Sequence, residues 1–489
     1  MNKSKLAAAV IIALGAVWTG GAWFTGKTAE TEYQYQLDRV NQQLSQLDIV
    51  KELNYELKIT DVSFERGLFS SDIHYAIEYT SLKDQNKKGK LPFESKLYHG
   101  PLPLNLVRQL NFTPAIFSET SQLVKNEQTQ ILFDTVKDKI PLNTELTLTY
   151  AQQLKGALFI AAGEFESSDD IKASWSDASI KFDVNKEGEG KYDYSLQDAK
   201  ITLSGEQLKS FEYGDETKNK LQSLDIAMQD LKGQAEITDS QKLYLGNYDG
   251  ILGNLKYSYH YEKPEVNGLS MMQFDQWNFS YQATENDGFL NYDSKNKLSA
   301  VTFNQKNLGE VVINVKAEHL LASALNKLSD AALLEDNKAV DSLLMEILKN
   351  QPHLQILPFS IKNDKGLMSH NINIELANVD LNRTLKLGKF LSLFKQLSWS
   401  TYVDKSALAN LYHYIDSLSE KTNEKSDKQV QQEIDQLIKD LHQQNVIVED
   451  EKFVKLDLRL ENGKLKLNDH EIPEEYISMM IFALMLQHH

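Results

Sequence analysis

The chain has 489 residues, 52 Lys and Arg against 69 Asp and Glu for a formal net charge of -17, no cysteine, 23 glycines and 9 prolines. The missing cysteines exclude a disulfide scaffold, a thiolate metal centre, a Cys nucleophile and a lipidated N-terminal Cys, and the acidic balance is the reverse of the basic footprint of a phosphate-backbone binder. Apolar residues at 41% and charged residues at 25% match ordinary globular domains, and the length fits about two to four folding units or one sheet built by extension.

Residues 1–5 carry Lys3 and Lys5, and Leu6 to Gly26 then runs without a charge. At ~1.5 Å per residue such a helix covers a ~30 Å hydrocarbon core. Lysines before it and Glu30, Glu32 and Asp38 after it predict a transmembrane anchor over 6–26 with a cytoplasmic N-terminus and everything after Lys27 on the far side. Trp18, Trp23 and Phe24 sit at its exit. The competing reading, a cleaved signal peptide, has an apolar core of only ~7 to 15 residues; Gly20-Gly21-Ala22 fits its small residues, whereas Trp23 and Phe24 do not. Small residues four apart, Ala9 and Ala13, then Ala16 and Gly20, suit close packing of two such helices. Gly21 to Thr28 also fits G-x-x-x-x-G-K-[ST]. A phosphate cradle needs a strand before the loop and a helix after it, so no nucleotide is expected here.

Residues 27–53 are polar, with Tyr35, Leu37, Val40, Leu44, Leu47 and Val50 at helical steps, and read as a stalk. Over 54–315 the apolar period changes to two: Ile73, Tyr75, Ile77 and Tyr79; Leu146, Leu148 and Tyr150; Ile180, Phe182 and Val184; Leu255, Tyr257, Tyr259 and Tyr261; Trp277, Phe279 and Tyr281. Ile372, Ile374 and Leu376 repeat it further on. Turn residues separate the runs, at Asn185 to Gly190, Asn247 to Gly250, Asn286-Asp287-Gly288, Asn363 to Gly366 and Glu461 to Lys464. This is the pattern of long antiparallel meanders and disfavours a parallel nucleotide-binding sheet.

Over 316–489 helical stripes join the strands. Lys316 to Lys349 places Leu321, Leu325 and Leu328, then Val340, Leu344 and Ile347, on one side, with a break at Glu335-Asp336-Asn337. Ser406 to Gln444 does the same with Leu408, Leu411, Ile415 and Leu418, then Ile434, Leu437, Ile438 and Leu441. Leu387 to Leu397 fits helix or strand. Val454 to Leu460 and Leu465-Leu467 form a hairpin through Asn462-Gly463. Pro473-Glu474-Glu475 opens a helix over Tyr476 to Leu486 that is apolar nearly all round, too short to span a bilayer and suited to burial on the sheet or to docking on a partner or membrane surface. The expected fold is α+β and β-rich: one N-terminal transmembrane helix, then an elongated antiparallel sheet with helices packed on it.

Several blocks together resemble the YdgA-like family of proteobacterial envelope proteins of uncharacterised biochemical function. They are Met1-Asn2-Lys3-Ser4, Ala13 to Trp23, Arg66-Gly67-Leu68-Phe69-Ser70-Ser71, His99-Gly100-Pro101-Leu102-Pro103-Leu104, Leu357-Pro358-Phe359-Ser360 with Lys362-Asn363 and Gly366, and the Asn462-Gly463 hairpin. The resemblance implies a single-pass anchor in the bacterial inner membrane, a large periplasmic domain and self-association as a homodimer. It supplies no catalytic residue, cofactor or ligand.

Seven residues stand out as a structural or interaction motif: Arg66, Gly67, Phe69, His99, Gly100, Pro101 and Pro103. Arg66 offers itself to an anion, but Gly67 as a turn or bulge with Phe69 plugging the core is the stronger expectation. His99 stands beside a rigid turn, a lone His has no preferred chemistry without an orienting group, and no G-x-S-x-G elbow occurs. The eleven histidines show no H-x-x-x-H pair, and Asp84 to Gly89 departs from a calcium loop, with Lys88 at a ligand position and Ser95 where the closing Glu belongs. Asp330, Asp336 and Asp341 fall on the solvated side of their helical stretch. No catalytic residue, metal or cofactor is therefore expected. The first functional reading is a non-enzymatic binding or scaffolding protein of the cell envelope, with lipid or an envelope protein as partner and no nucleic acid. The second is a lipid-handling module with an apolar groove, for which Tyr257, Tyr259, Tyr261, Trp277, Phe279 and Tyr281 are candidate walls. The third is a hydrolase assembled from distant segments, most testable as Ser70, His99 and an acid.

Overall fold

The computed structural model describes residues 26–31, 33, 35, 37–38, 41, 55–82, 88–167, 170–205, 207–208, 221–239, 242, 245–262, 270–333, 337–418 and 426–474. The chain divides into two compact units, Met1–Ile201 with Asp230–Tyr244, and Thr202–Gln229 with Leu245–His489.

The first unit opens with a helix, α1, whose described residues lie between 26 and 41. An antiparallel meander follows, through β1 (Tyr55–Arg66), β2 (Ser70–Ser81), β3 (Lys88–His99), β4 (Ala115–Leu123), β5 (Leu142–Thr149) and β6 (Gln153–Ile160). From β6 the ladder passes to β9 (Ala178–Asn185) and then β10 (Gly190–Ser204), while β7 (Gly163–Ser167) and β8 (Ile171–Trp175) form a hairpin. Two short helices, α2 (Leu104–Arg108) and α3 (Gln130–Thr135), sit in the connections. The expected period of two is the cause: Ile73, Tyr75 and Ile77 face one way and Asp72, His74 and Glu78 the other. The inward row buries Ile73, Leu97, Ile116, Phe117 and Leu148 together with Ala29 of α1.

β11 (Leu221–Ile237) and β10 contribute residues to both units. In the second unit β12 (Gly246–Tyr261), β13 (Met271–Asn286), β14 (Phe289–Phe303), β15 (Lys306–Leu321), β16 (His353–Asn363), β17 (Gly366–Leu376) and β18 (Phe394–Asp404) pair in succession, all antiparallel. β18 continues to β20 (Phe453–Glu461), which also carries β19 (Val448–Glu449) and β21 (Lys464–Leu467); β22 (His470–Ile472) closes on β21. The Asp287-Gly288 and Asn462-Gly463 turns have φ of 52° and 80°, and 54° and 76°. Positive φ at both central residues is the twist-matched hairpin turn that these residue types favour.

The helical stretches expected near 316–349 and 406–444 are present as α4 (Ala322–Leu333) with α5 (Asn337–Lys349), and α7 (Lys405–Leu418) with α8 (Asp427–Gln443). Lys316 to Leu321, however, continue β15, because Leu320 and Leu321 are held in register with Leu290 and Phe289. The ambiguous stretch resolves into both forms. α6 (Leu381–Lys386) and a 3₁₀ turn (Phe390–Leu393) precede strand β18. Ser426 caps α8, its hydroxyl accepting from Gln429 N while the Gln429 side chain bonds back to the Ser426 amide. Val430, Ile434 and Ile438 of α8 then bury against Met368, Val403, Ala407 and Val454.

Two expectations are corrected. The α+β class with a membrane helix gives way to a predominantly antiparallel sheet protein, 60% strand and 21% helical. Period-two runs claim most of the chain and pair in long antiparallel ladders, even at Leu320 and Leu321 where the spacing looked helical, so the helices are few. The single-pass inner-membrane anchor finds no support either, since among the described residues no helix is long and apolar enough to cross a membrane. Leu6 to Thr25 lie outside the described residues. Gly26, the last residue of that apolar run, is buried against protein: a Cβ there would stand 2.7 Å from His99 Cε1. Even α8, at 17 residues, has Lys428, Glu433, Asp435, Lys439 and Asp440 exposed around its apolar stripe, and a spanning helix needs ~20 mostly apolar residues. The Asp84-to-Lys87 part of the calcium-loop comparison and the apolar Tyr476–Leu486 stretch also lie outside the described residues.

Candidate functional site

The motif residues come together at one end of the inward face of the first unit. Gly67 N donates to Ser70 O at 2.9 Å, and a Cβ on Gly67 would lie 2.7 Å from that oxygen, so the β1–β2 turn closes only around glycine. His99 N donates to Phe69 O at 3.1 Å, tying this turn to the end of β3. Phe69 is half-buried, His99 and Gly100 are buried, and Gly100 takes a φ of 135°. Pro101 leads into Pro103, which is fully buried and whose carbonyl accepts from Leu106 N and Val107 N at the start of α2.

This end of the face is the seat of α1. Ala29 is wholly buried on it, Tyr33 packs against Phe64 with ring centroids 6.0 Å apart, and Arg66 Nη1 reaches Glu30 Oε2 at 3.4 Å. Lower down, Asn41 Nδ2 donates to Ile59 O at 3.1 Å while Asn41 Oδ1 accepts from Ile59 N at 2.6 Å. Ala29, Tyr33 and Asn41 belong to the segment with the polar, stalk-like pattern; in the structure each touches the sheet.

Beneath α1 the apolar face carries a polar patch that includes Glu119, Ser95, Tyr75 and Ser121, none of them a motif residue. In one cross-strand row Arg66, Ser71, Leu97, Glu119 and Leu146 stand in register on β1 to β5. Glu119 is 3% exposed and accepts a hydrogen bond from Ser95 Oγ. Beside it the hydroxyls of Tyr75 and Ser121 are 2.8 Å apart. Burial pushes the Glu119 carboxyl up to about 7, against the pull of the Ser95 hydroxyl. Burial first, and then the neighbouring Glu119, raise the phenols of Tyr33 and Tyr75; for Tyr75 the bond to Ser121 opposes the rise. A signal for this patch is present in the sequence: in Ala115-x-Phe117-x-Glu119-x-Ser121-x-Leu123 an acid occupies an inward phase of a strand.

The same face continues, through the stacked rings of Tyr75 and Phe93 5.1 Å apart, to an apolar pocket of about 380 Å³. Its walls include Leu91 of β3, Leu123 of β4, Leu132 of α3, Leu142 of β5, Phe165 of β7 and Trp175 of β8. Trp175 Nε1 donates to Ala161 O at 2.9 Å, which leaves the indole face free to line the pocket. Gly163 makes room for it, since a Cβ there would lie 2.7 Å from Trp175 Cζ2. Ion pairs Lys125–Asp138 and Lys137–Glu164 lie on the segments that flank α3.

The aromatic strands singled out as groove walls are used otherwise. Tyr257, Tyr259 and Tyr261 pack against buried Leu208, Leu221 and Leu224, Trp277 Nε1 donates to Asn296 Oδ1 at 3.2 Å, and Tyr281 stacks on Tyr248. The Ser70–His99 version of a hydrolase also fails on geometry. Ser70 is in register with Tyr98, so its side chain leaves the sheet on the face opposite His99.

The chain resembles several bacterial proteins. An uncharacterised protein of Haemophilus influenzae is 32% identical over 67% of this chain and 85% of its own length. Protein YdgA of Escherichia coli is 26% identical over 77% of this chain and 76% of its own, and the uncharacterised E. coli protein YihF is 23% identical over 96% and 97%. The model of the DUF945 family of bacterial proteins of unknown function matches residues 1–475, and the chain belongs to that family.

Proposed function

We propose that the protein is a non-enzymatic binding protein that takes a single alkyl chain into the apolar pocket of its first unit. The observation that carries this is the pocket itself: about 380 Å³, walled by side chains such as Leu91, Leu123, Phe165 and Trp175, with the Trp175 N–H already engaged by Ala161. Ligand pockets run from ~300 to ~1,000 Å³, and one of this size and lining rewards apolar surface with no demand for a charged partner inside. Lysines and acids on the flanking segments suit a polar headgroup left in water.

The test is quenching of tryptophan fluorescence by a brominated saturated fatty acid. Saturable quenching is expected, largely lost in Trp175→Phe, and weakened at least tenfold by Leu132→Asp, which puts a carboxylate in the wall from a partly exposed helix position. Absence of saturable quenching, or identical affinity in Leu132→Asp, overturns the assignment.

A further inference from the structure

We propose that Glu119 is a proton-operated latch: its carboxyl, when protonated, holds α1 down on the sheet of the first unit, and loss of that proton loosens the helix and bares the apolar face beneath it.

The geometry is a wholly buried acid under a helix. Glu119 is 3% exposed, its described hydrogen bond comes from the Ser95 hydroxyl, and none of the described ion pairs includes it. The groups that face it from the packed elements are Tyr33 of α1, Tyr75 of β2, Ser95 of β3 and Ser121 of β4; β5 contributes Leu146 in register. His99 lies four residues along β3 from Ser95, under Gly26, and Arg66, at the far end of the row, is engaged with Glu30. Neutral hydroxyls solvate a carboxylic acid adequately, whereas a desolvated carboxylate beside one donor is costly. Lifting α1 readmits water to that carboxylate. Other described contacts of the helix are Ala29, Tyr33 on Phe64, the Arg66–Glu30 pair, the Asn41–Ile59 bonds and the His99 ring beneath Gly26; the Glu119→Gln variant separates the carboxyl from that imidazole.

The sign follows from linkage. The carboxyl is raised to about 7 from an ordinary value of 4.5, so docking of α1 is fully favoured below pH 4.5, weakens about tenfold per pH unit as pH rises to about 7, and is flat above that. What opens is the surface of Ile73, Leu97, Phe117 and Leu148, adjoining the alkyl pocket but distinct from it; the latch stands whether or not that pocket binds a ligand.

Hydrogen exchange of the full chain, corrected for the intrinsic pH dependence of exchange, reads the latch directly. Peptides covering 26–41 should be at least tenfold more protected at pH 5 than at pH 7.5, and Glu119→Gln should hold them at the protected level at both. Ser95→Ala, which removes the one donor that lowers the carboxyl, should move the midpoint to higher pH. Equal protection of the wild type at the two pH values overturns the proposal, as does the same pH-dependent loss in Glu119→Gln. Should Glu119→Gln not fold, an unmoved midpoint in Ser95→Ala overturns it equally.

Discussion

Both units cover a sheet face with helix, but by opposite chemistry. In the second unit α8 lays Val430, Ile434 and Ile438 on Met368, Val403 and Val454, an apolar cluster. In the first, α1 closes over Ser95, Ser121, Tyr75 and a buried acid. The α8 cluster holds no titratable side chain. The seat of α1, on the latch proposed above, makes the fit of a helix depend on a proton, and so exchanges stability for responsiveness.

Substitutions in either unit test this difference. The largest effect is expected from Ile434→Ala, which leaves a cavity in the apolar cluster and should cost about 2–5 kcal/mol in chemical denaturation of the second unit, with no pH dependence between 5 and about 7.5. Next comes the acid itself. A folded carboxyl raised to about 7 contributes stability that is complete below its unfolded value near 4.5 and lost by the time pH reaches about 7, a change on the order of 3 kcal/mol in denaturation of the first unit. Glu119→Gln should flatten that profile; a profile equally steep in the variant would assign the dependence to other groups. The smallest effect belongs to Arg66→Ala. The Arg66–Glu30 pair is 3.4 Å apart with side chains 34% and 46% exposed, so its removal should cost no more than about 1 kcal/mol and vanish in high salt.

Much of the sheet was legible because period and turn chemistry agree locally. Asn462-Gly463 and Asp287-Gly288 lie between alternating runs and turn as their residue types require. At Leu321 the local pattern misled: its spacing with Leu325 and Leu328 is helical, but the cross-strand pair with Phe289 keeps it in β15. Glu119 was readable in principle, since its phase on β4 is fixed by Phe117 and Leu123. The pocket was not. Its walls come from strands β3 to β8 and from α3, and only the long-range register that brings Leu91 beside Trp175 creates a cavity. The motif residues Arg66, Gly67, Phe69 and His99 were visible as punctuation, while the tie of their turn to the end of β3 depends on the Phe69–His99 backbone bond, and the contacts of Arg66 with Glu30 and of His99 with Gly26 depend on where α1 lies.

The clasp between Asn41 and Ile59 has a further effect. A side-chain amide that both donates to a backbone carbonyl and accepts from the amide of the same residue satisfies the two groups that an incoming strand would otherwise engage there. β1 lies at the start of its ladder, and a row of open backbone groups at such a margin is a template on which chains polymerise. Asn41 occupies both of these groups at Ile59, so Asn41→Ala is expected to show itself first as seeded aggregation, ahead of any fall in melting temperature.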